Sequence, residues 1–120
     1  MRVIIIFIAF LFLGFGSGNL DAIIGQWENP DGTRRVEIFK SKDCYLGKIV
    51  WLKVKEPKAK PGDIIFKDIQ FKNPHWNGKI TLPTESRIFD MELRLVSENK
   101  LEIKASYKNM SRKKVWKRVF

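Results

Sequence analysis

The sequence predicts an all-β fold, a small eight-stranded antiparallel up-and-down barrel that follows an N-terminal signal peptide. Three observations predict it. From Ile24 onward apolar and polar residues alternate with period two, and no stretch keeps a helical i, i+3, i+4 spacing for three turns. Turn residues separate the alternating segments. Eight strands of roughly six to eight residues with short links need about 100 residues, and the chain has 120.

The first residues have the pattern of a signal peptide. A short basic end, Met1-Arg2, precedes an apolar run over residues 3–13 and a small-residue patch over residues 14–18. A membrane anchor is the less favoured alternative, because the run is about ten residues short of the roughly 20 that a spanning helix needs. No Cys follows the run to carry a lipid. We expect residues 1–18 to be removed and residues 19–120 to form one exported domain, periplasmic or secreted.

The alternation also gives the strands in order, with turn residues between them. In the clearest strand, Phe89 and Met91 share one face while Asp90 and Glu92 share the other. The segment at residues 44–54 is apolar on both faces, so the pattern leaves its inward face open. Residues 55–62 form a loop, because two prolines and several lysines break the alternation. The predicted strands are residues 24–28, 33–39, 44–54, 64–71, 79–82, 87–96, 100–108 and 115–120, with turns at 29–32, 77–78, 83–86 and 97–99.

The need to cover strand edges and the polar outer faces of the strands favour a closed barrel that lies outside the membrane. A short antiparallel meander removes its exposed edges most simply by closing on itself. An outer-membrane barrel is disfavoured, because its outer band would have to be apolar. In this chain Asp90, Glu92 and Arg94 occupy the face opposite the core residues. We expect a monomer that does not span the membrane after the signal is removed.

Motifs at both ends of the predicted domain carry a family resemblance. Gly25-Gln26-Trp27 and Arg118 resemble the glycine-x-tryptophan and terminal arginine of the calycin-like (lipocalin-like) barrels. The resemblance implies that Trp27 closes one barrel end and that Arg118 packs over its ring, with Gly25 and Trp116 as further closure residues. Over most of the mature chain the sequence is similar to the secreted bacterial family called domain of unknown function 2147. The matching positions are Gly25-x-Trp27, Asp31-Gly32, residues 45–50, residues 76–78, Pro83, Arg112 and Trp116-x-Arg118. Ser86 and Ser111 stand where that family usually has Gly, and the family name implies no activity.

Catalytic and metal chemistry have few candidates in this composition. One Cys excludes an internal disulfide framework, and one His with one Cys is too few soft ligands for a structural zinc site. Cys44 and His75 are the only pair for thiol chemistry, and nothing in the sequence brings them together. No glycine-rich phosphate loop appears. We therefore expect no enzyme, no cofactor and no metal.

The basic composition indicates an anionic partner. The formal charge is +10, and the basic residues cluster in residues 53–60 and 112–118. Export makes nucleic acid unavailable, which leaves an anionic lipid, an envelope polysaccharide or an acidic protein as the counter-charge. The alternative is that these lysines only keep a small barrel soluble and block edge pairing.

Two function classes remain open. In the first, the barrel binds a small apolar or amphipathic anionic ligand at an open end framed by residues 55–62 and 73–78. The residues predicted to bind it are Tyr45, Trp51, Lys55, Lys58, Lys60, His75 and Trp76. In the second, the basic loops dock an envelope component or a protein. The bulky side chains of Phe89, Met91, Leu93, Leu95 and Tyr107 would then fill the interior completely.

Overall fold

Eight antiparallel strands, each paired with the next along the chain, form a closed barrel in the described part of the protein. The computed structural model describes residues 20–82 and 87–119. The strands are β1 (Gly25–Glu28), β2 (Arg34–Ser41), β3 (Cys44–Leu52), β4 (Ile64–Lys72), β5 (His75–Leu82), β6 (Arg87–Ser97), β7 (Lys100–Tyr107) and β8 (Met110–Val119). β1 also pairs with β8, which closes the barrel. This is the predicted fold class. The predicted signal peptide, residues 1–18, lies outside the described residues.

Side chains that alternate along the strands fill the barrel interior. The inward positions of facing strands meet in layers, because a period of two places every second residue on one face. The fully buried large side chains are Ile23, Trp27, Val36, Ile38, Ile49, Phe66, Ile69, Leu93 and Leu101. No helix in residues 20–82 or 87–119 is long and apolar enough to cross a membrane.

A bulge in β3 changes which of its residues face inward. Val36 lies opposite Ile49 and Arg35 lies opposite Trp51, so Val50 has no partner on β2. Side chains change faces at such a bulge. Before it, Ile49 points into the core. After it, Trp51 shares the outer face with Arg35, and Leu52 packs against the core.

Two strand boundaries differ from the prediction by more than two residues. β5 begins at His75, so the predicted turn at Asn77-Gly78 is wrong and the turn lies at residues 73–74. Glycine at position 78 is required by close packing against β4 rather than by a turn. A Cβ atom there would lie 2.8 Å from the Lys67 carbonyl oxygen, where the pairing of β4 with β5 is irregular. β8 begins at Met110 instead of residue 115, because its pairing with β7 continues without interruption to that point.

Consecutive connections lie at opposite ends of the barrel, because each strand reverses the direction of the one before it. We call the end that holds residues 20–24 and the β2–β3, β4–β5 and β6–β7 connections the closed end. The open end holds the β1–β2, β3–β4, β5–β6 and β7–β8 connections. Residues 55–62 belong to the β3–β4 connection and residues 73–74 to the β4–β5 connection. The prediction that both loops frame one open end is therefore wrong.

Residues 20–24 cross the closed end and are held there by Trp27 and Arg118. The Trp27 indole Nε1 donates a hydrogen bond to the Ile23 carbonyl at 2.9 Å. The Arg118 guanidinium carbon lies 4.3 Å from the Trp27 ring centroid, within the range of cation–π attraction. Its Nη2 and Nη1 donate to the carbonyls of residues 22 and 24 at 2.8 and 3.0 Å. A Cβ atom at Gly25 would lie 2.6 Å from Arg118 Nη1, so this contact needs glycine.

Tyr45 and Trp76 hold the same segment from the other side of the barrel. The Tyr45 hydroxyl lies 2.9 Å from the Leu20 carbonyl oxygen and 2.5 Å from Asp21 Oδ1. Trp76 Nε1 donates to the Leu20 carbonyl at 3.2 Å. Burial, followed by the hydrogen bond to Asp21 and its negative charge, raises the pKa of Tyr45 to about 12. Both side chains therefore stabilise the closed end.

Replacing Trp27 with Ala should cost about 3 to 5 kcal/mol, the range for a buried aromatic residue, because the cavity left behind also frees Arg118. Domains of this size are stable by only about 5 to 15 kcal/mol, so the variant should unfold at a much lower temperature. Thermal and urea unfolding followed by circular dichroism measure the loss. Trp51→Ala, on the outer face, is the matched control and should lose clearly less. Equal losses in the two variants would show that Trp27 has no special role in closure.

The stability of the protein should fall as pH rises from about 10 to about 12, in part because of Tyr45. The phenol has an ordinary pKa of 10.0, raised to about 12 in the folded protein. Below pH 10 its contribution is fully present, and it is lost as pH rises through the folded-state pKa. Urea unfolding across this range should show a smaller fall for Tyr45→Phe, while Tyr107→Phe retains it. An unchanged fall in Tyr45→Phe would contradict this assignment.

Candidate ligand-binding site

A cavity of about 270 Å³ opens at the open end of the barrel. Strands β6, β7 and β8 form one wall, and the β1–β2 turn with the start of β2 forms the other. Its lining residues are Asn29, Pro30, Arg34, Ile80, Arg87, Phe89, Ile103, Ala105, Tyr107, Met110, Ser111, Arg112, Lys114 and Trp116. The set combines apolar side chains with four cations.

Unequal strand lengths create the cavity. β1 has 4 residues whereas β8 has 10. β8 pairs with β1 only at residues 117–119, so the rest of β8 continues past the β1–β2 turn toward the open end. The Asn29 side chain tightens that turn, since its Oδ1 accepts from the backbone N–H groups of Thr33 and Arg34 at 2.9 and 3.0 Å. The barrel rim is consequently low beside β8, and the cavity opens there.

The floor and inner wall of the cavity are apolar. Trp116 is only 8% exposed and packs edge-on against Phe66, with ring centroids 5.8 Å apart. Ile80 and Ile103 are also buried. Ala105 lies in register between Met91 on β6 and Arg112 on β8, and its small side chain leaves space in that layer. An apolar group that entered the cavity would meet Trp116 and the side chains around it.

The rim of the cavity is cationic. Arg34, Arg87, Arg112 and Lys114 line it, and no carboxylate lines it among the described residues. Arg34 is already paired, because its Nη2 donates to both carboxylate oxygens of Glu56 at 3.1 and 3.2 Å. Arg112 and Lys114 take part in no ion pair within residues 20–82 and 87–119. Their charge is therefore available to an anion.

Aromatic stacking holds the outermost part of the cavity wall. The Phe89 and Tyr107 rings are tilted, with centroids 5.5 Å apart. The guanidinium carbon of Arg87 lies 5.3 Å from the Tyr107 ring centroid. This contact holds Arg87 beside the cavity mouth.

The cations of β8 point inward because the strand alternates without a break. Trp116 faces the interior, so Lys114 and Arg112 share its face, and Ser111, Lys113 and Val115 take the outer face. The usual pattern is thus inverted here, because exposed cations occupy the cavity face of β8 and Val115, 40% exposed, occupies its outer face. Sequence reasoning missed these residues because it treated 112–118 as one basic run. The period of two along a strand would have identified them, because Lys114 and Arg112 lie two and four residues before the inward-facing Trp116.

The aromatic residues predicted to bind a ligand do not line this cavity. Tyr45 and Trp76 are buried at the closed end, where they hold residue 20. Trp51 lies on the outer face, with the Arg35 guanidinium carbon 4.5 Å from its ring centroid. Trp116, assigned by the resemblance to barrel closure, instead forms the cavity floor. The structure brings Tyr45 and Trp76 together, but not with Trp51.

The polar residues predicted to bind a ligand are also elsewhere. Lys55, Lys58 and Lys60 are exposed on the β3–β4 connection at the open end, and none lines the cavity. His75 lies in β5, where its Nε2 is 3.7 Å from Glu92 Oε2. The Cys44 thiol donates to the Ser41 carbonyl at 3.6 Å. In the described ranges no three His, Cys, Asp or Glu side chains gather as metal ligands do.

Comparisons with known proteins agree with this architecture. The barrel resembles a solved structure described as protein HP1028 from Helicobacter pylori, a member of the lipocalin family. The TM-score is 0.69 at 16% sequence identity, and the match covers 82% of this chain and 83% of that chain. At that identity the likeness shows the fold, which is lipocalin-like. No curated protein matches the sequence. Residues 25–118 match the family described as uncharacterized protein conserved in bacteria, DUF2147, and the chain therefore belongs to that family.

Proposed function

We propose that the barrel binds a small anionic amphipathic molecule in the cavity at its open end. A carboxylate or phosphate head group would contact Arg112, Lys114 and Arg87, and an apolar tail would lie against Trp116 and Ile103. One observation carries the proposal: four cations and no described carboxylate line a cavity whose floor is apolar. Ligand sites commonly combine an apolar lining with a few convergent polar groups in this way.

Electrostatics favours a bound anion over an empty cavity. Arg112 and Lys114 are held near each other beside an apolar interior without a carboxylate partner in the described residues. Both side chains are exposed, so the repulsion between their like charges is moderate and is screened by salt. An anion between them removes the repulsion and gains charge-assisted hydrogen bonds, which are stronger than neutral ones.

Packing below the cavity limits the size of the ligand. Trp27, Phe66 and Leu93 are fully buried in the packed core, and Phe66 contacts Trp116 on the cavity floor. A volume of 270 Å³ equals about nine water-sized groups at roughly 30 Å³ each. The cavity therefore suits a medium-length alkyl carboxylate such as decanoate better than a long-chain lipid. The barrel interior is packed at the closed end and holds a cavity at the open end. It is therefore neither filled completely by side chains nor hollow throughout.

We expect decanoate to bind saturably and to change the fluorescence of the tryptophans, because Trp116 lies on the cavity floor. Replacing Arg112 and Lys114 together with Gln should weaken binding by about tenfold to a hundredfold, the range for losing hydrogen bonds to a charged group. Binding should also weaken as ionic strength rises. The double variant Lys58→Gln, Lys60→Gln is the matched control, since it removes the same charge from the exposed loop.

Two further measurements separate cavity binding from surface attraction. Ala105→Leu keeps every cation but fills the space between Met91 and Arg112, so it should abolish decanoate binding. Decanol, which has no charge, should bind more weakly than decanoate. Equal decanoate affinity in the native protein, the Ala105→Leu variant and the Arg112, Lys114 double variant would refute the proposed function.

We also propose that the mature protein is exported. The basic end, apolar run and small-residue patch of residues 1–18 support this proposal. N-terminal sequencing of protein from the cell envelope or the culture medium should therefore begin near Asn19. A chain with Met1 intact in the cytoplasmic fraction would contradict export.

A further inference from the structure

β8 has a free edge beside the cavity. On one side it pairs with β7 from Met110 to Lys117 without a register shift. On the other side it pairs with β1 only at Lys117, Arg118 and Val119. Since β1 ends at Glu28, no strand of the described residues lies against residues 110–116 on that side. Such an edge presents unpaired backbone N–H and C=O groups.

The backbone groups on this edge can be assigned to residues. The Arg118 N–H donates to the Asn99 carbonyl at 2.9 Å, so Arg118 directs its backbone groups toward the β7 side. Alternate residues of a strand direct their backbone groups to opposite neighbours. The backbone groups of Ser111, Lys113 and Val115 therefore face away from β7. We call these three residues the β8 edge.

The spacing of these groups suits an extended peptide. Neighbouring members of the β8 edge are two residues apart, and Ser111 to Val115 spans about 14 Å at roughly 3.4 Å per residue. A second strand alongside could satisfy all three N–H and all three C=O groups. Strand addition of this kind obtains affinity from main-chain hydrogen bonds and selectivity from side chains.

Charge defines which peptide fits. On the outer face Lys113 lies directly opposite Lys104, and Lys117 lies opposite Lys100. On the inner face Arg112 and Lys114 border the same edge. Like charges in facing positions destabilise a sheet, so both faces here favour glutamate or aspartate on an added strand. Self-pairing of two β8 edges would instead bring cations of both copies together, which opposes a second copy of the chain as the partner.

We propose that the β8 edge binds an extended acidic segment of another protein by strand addition. Lysines on strand edges commonly prevent unselective pairing. At this edge they exclude neutral and basic strands and attract acidic ones. The proposal does not depend on the small ligand, because it rests on backbone groups that face away from β7 as well as on the cations.

The probe is a capped peptide of about seven residues that alternates glutamate and valine, long enough to cover the edge. It should bind saturably, and in either register its carboxylates meet cations. In amide hydrogen exchange followed by NMR, peptide should protect the N–H groups of Ser111, Lys113 and Val115. Those of Arg112 and Lys114, which are already paired with β7, should not change.

Two substitutions at one position isolate the backbone contribution. Lys113→Pro and Lys113→Thr both remove the charge, but only proline also removes the N–H that faces the free edge. The proline variant should bind the peptide about tenfold more weakly than the threonine variant, as expected for a lost hydrogen bond in a short ladder. Circular dichroism and thermal unfolding verify that both variants fold. If Lys113→Pro does not, Ser111→Pro with Ser111→Ala serves the same purpose at the start of the strand.

Several outcomes would overturn the inference. Equal binding of a peptide N-methylated at every residue would show that charge attraction alone is responsible, because such a peptide has no N–H group to offer in either register. Equal binding of the lysine analogue would exclude acidic selectivity. Absence of saturable binding would exclude the site, because main-chain and charge recognition need no further sequence. Protection of the same amides by concentration alone would identify a second copy as the partner. Decanoate binding measured in parallel keeps the two proposals separate, since either can fail while the other holds.

Discussion

Closure of the barrel depends on a short ladder of three residue pairs between β1 and β8. So few backbone hydrogen bonds hold two strand edges only weakly, and the Arg118 side chain supplies what the ladder lacks. Its guanidinium lies over Trp27 and bonds to the carbonyls of Ala22, Ile24 and Glu98. One side chain of the last strand thus fixes the segment before the first strand, the first strand itself and the β6–β7 connection. The buried indole of Trp27 matters because its ring face makes the cation–π contact with Arg118.

The same short β1 determines the open end. A β1 strand as long as β8 would cover the β8 edge and raise the rim beside Arg112 and Lys114. Instead the chain reverses at residues 29–33, where Asn29 closes the turn through its side chain. The cavity and the free strand edge therefore share one cause. Cations lie beside both the cavity and the β8 edge. Charge at an exposed strand edge and at an open apolar cavity opposes association between copies of the protein.

The alternation of residues was sufficient to predict eight antiparallel strands and a closed barrel, since one polar and one apolar face per strand allows few other arrangements. Trp27 and Arg118 followed from the resemblance. Local irregularities could not be predicted. The bulge at Val50 that directs Trp51 outward, and the bulge beside Gly78, arise from strand pairing rather than from any single segment. The predicted binding residues lie apart for a different reason. Tyr45 and Trp76 were grouped with Lys55, Lys58 and Lys60 by residue type, although strand reversal places the two aromatic residues at the closed end and the lysines at the open end.

The two ends of the barrel differ in how completely their polar groups are satisfied. At the closed end the Trp27, Trp76 and Tyr45 polar atoms all have partners within the chain. Among the described residues at the open end, Arg112 and Lys114 have no ion-pair partner and the β8 edge has no neighbouring strand. Groups that cost stability when left unpaired persist where a protein uses them for binding, and the remainder of the fold must offset that cost. The well-anchored closed end can supply the offset, because its contacts involve none of the residues that line the cavity. Substitutions at the open end can therefore leave the contacts of the closed end intact.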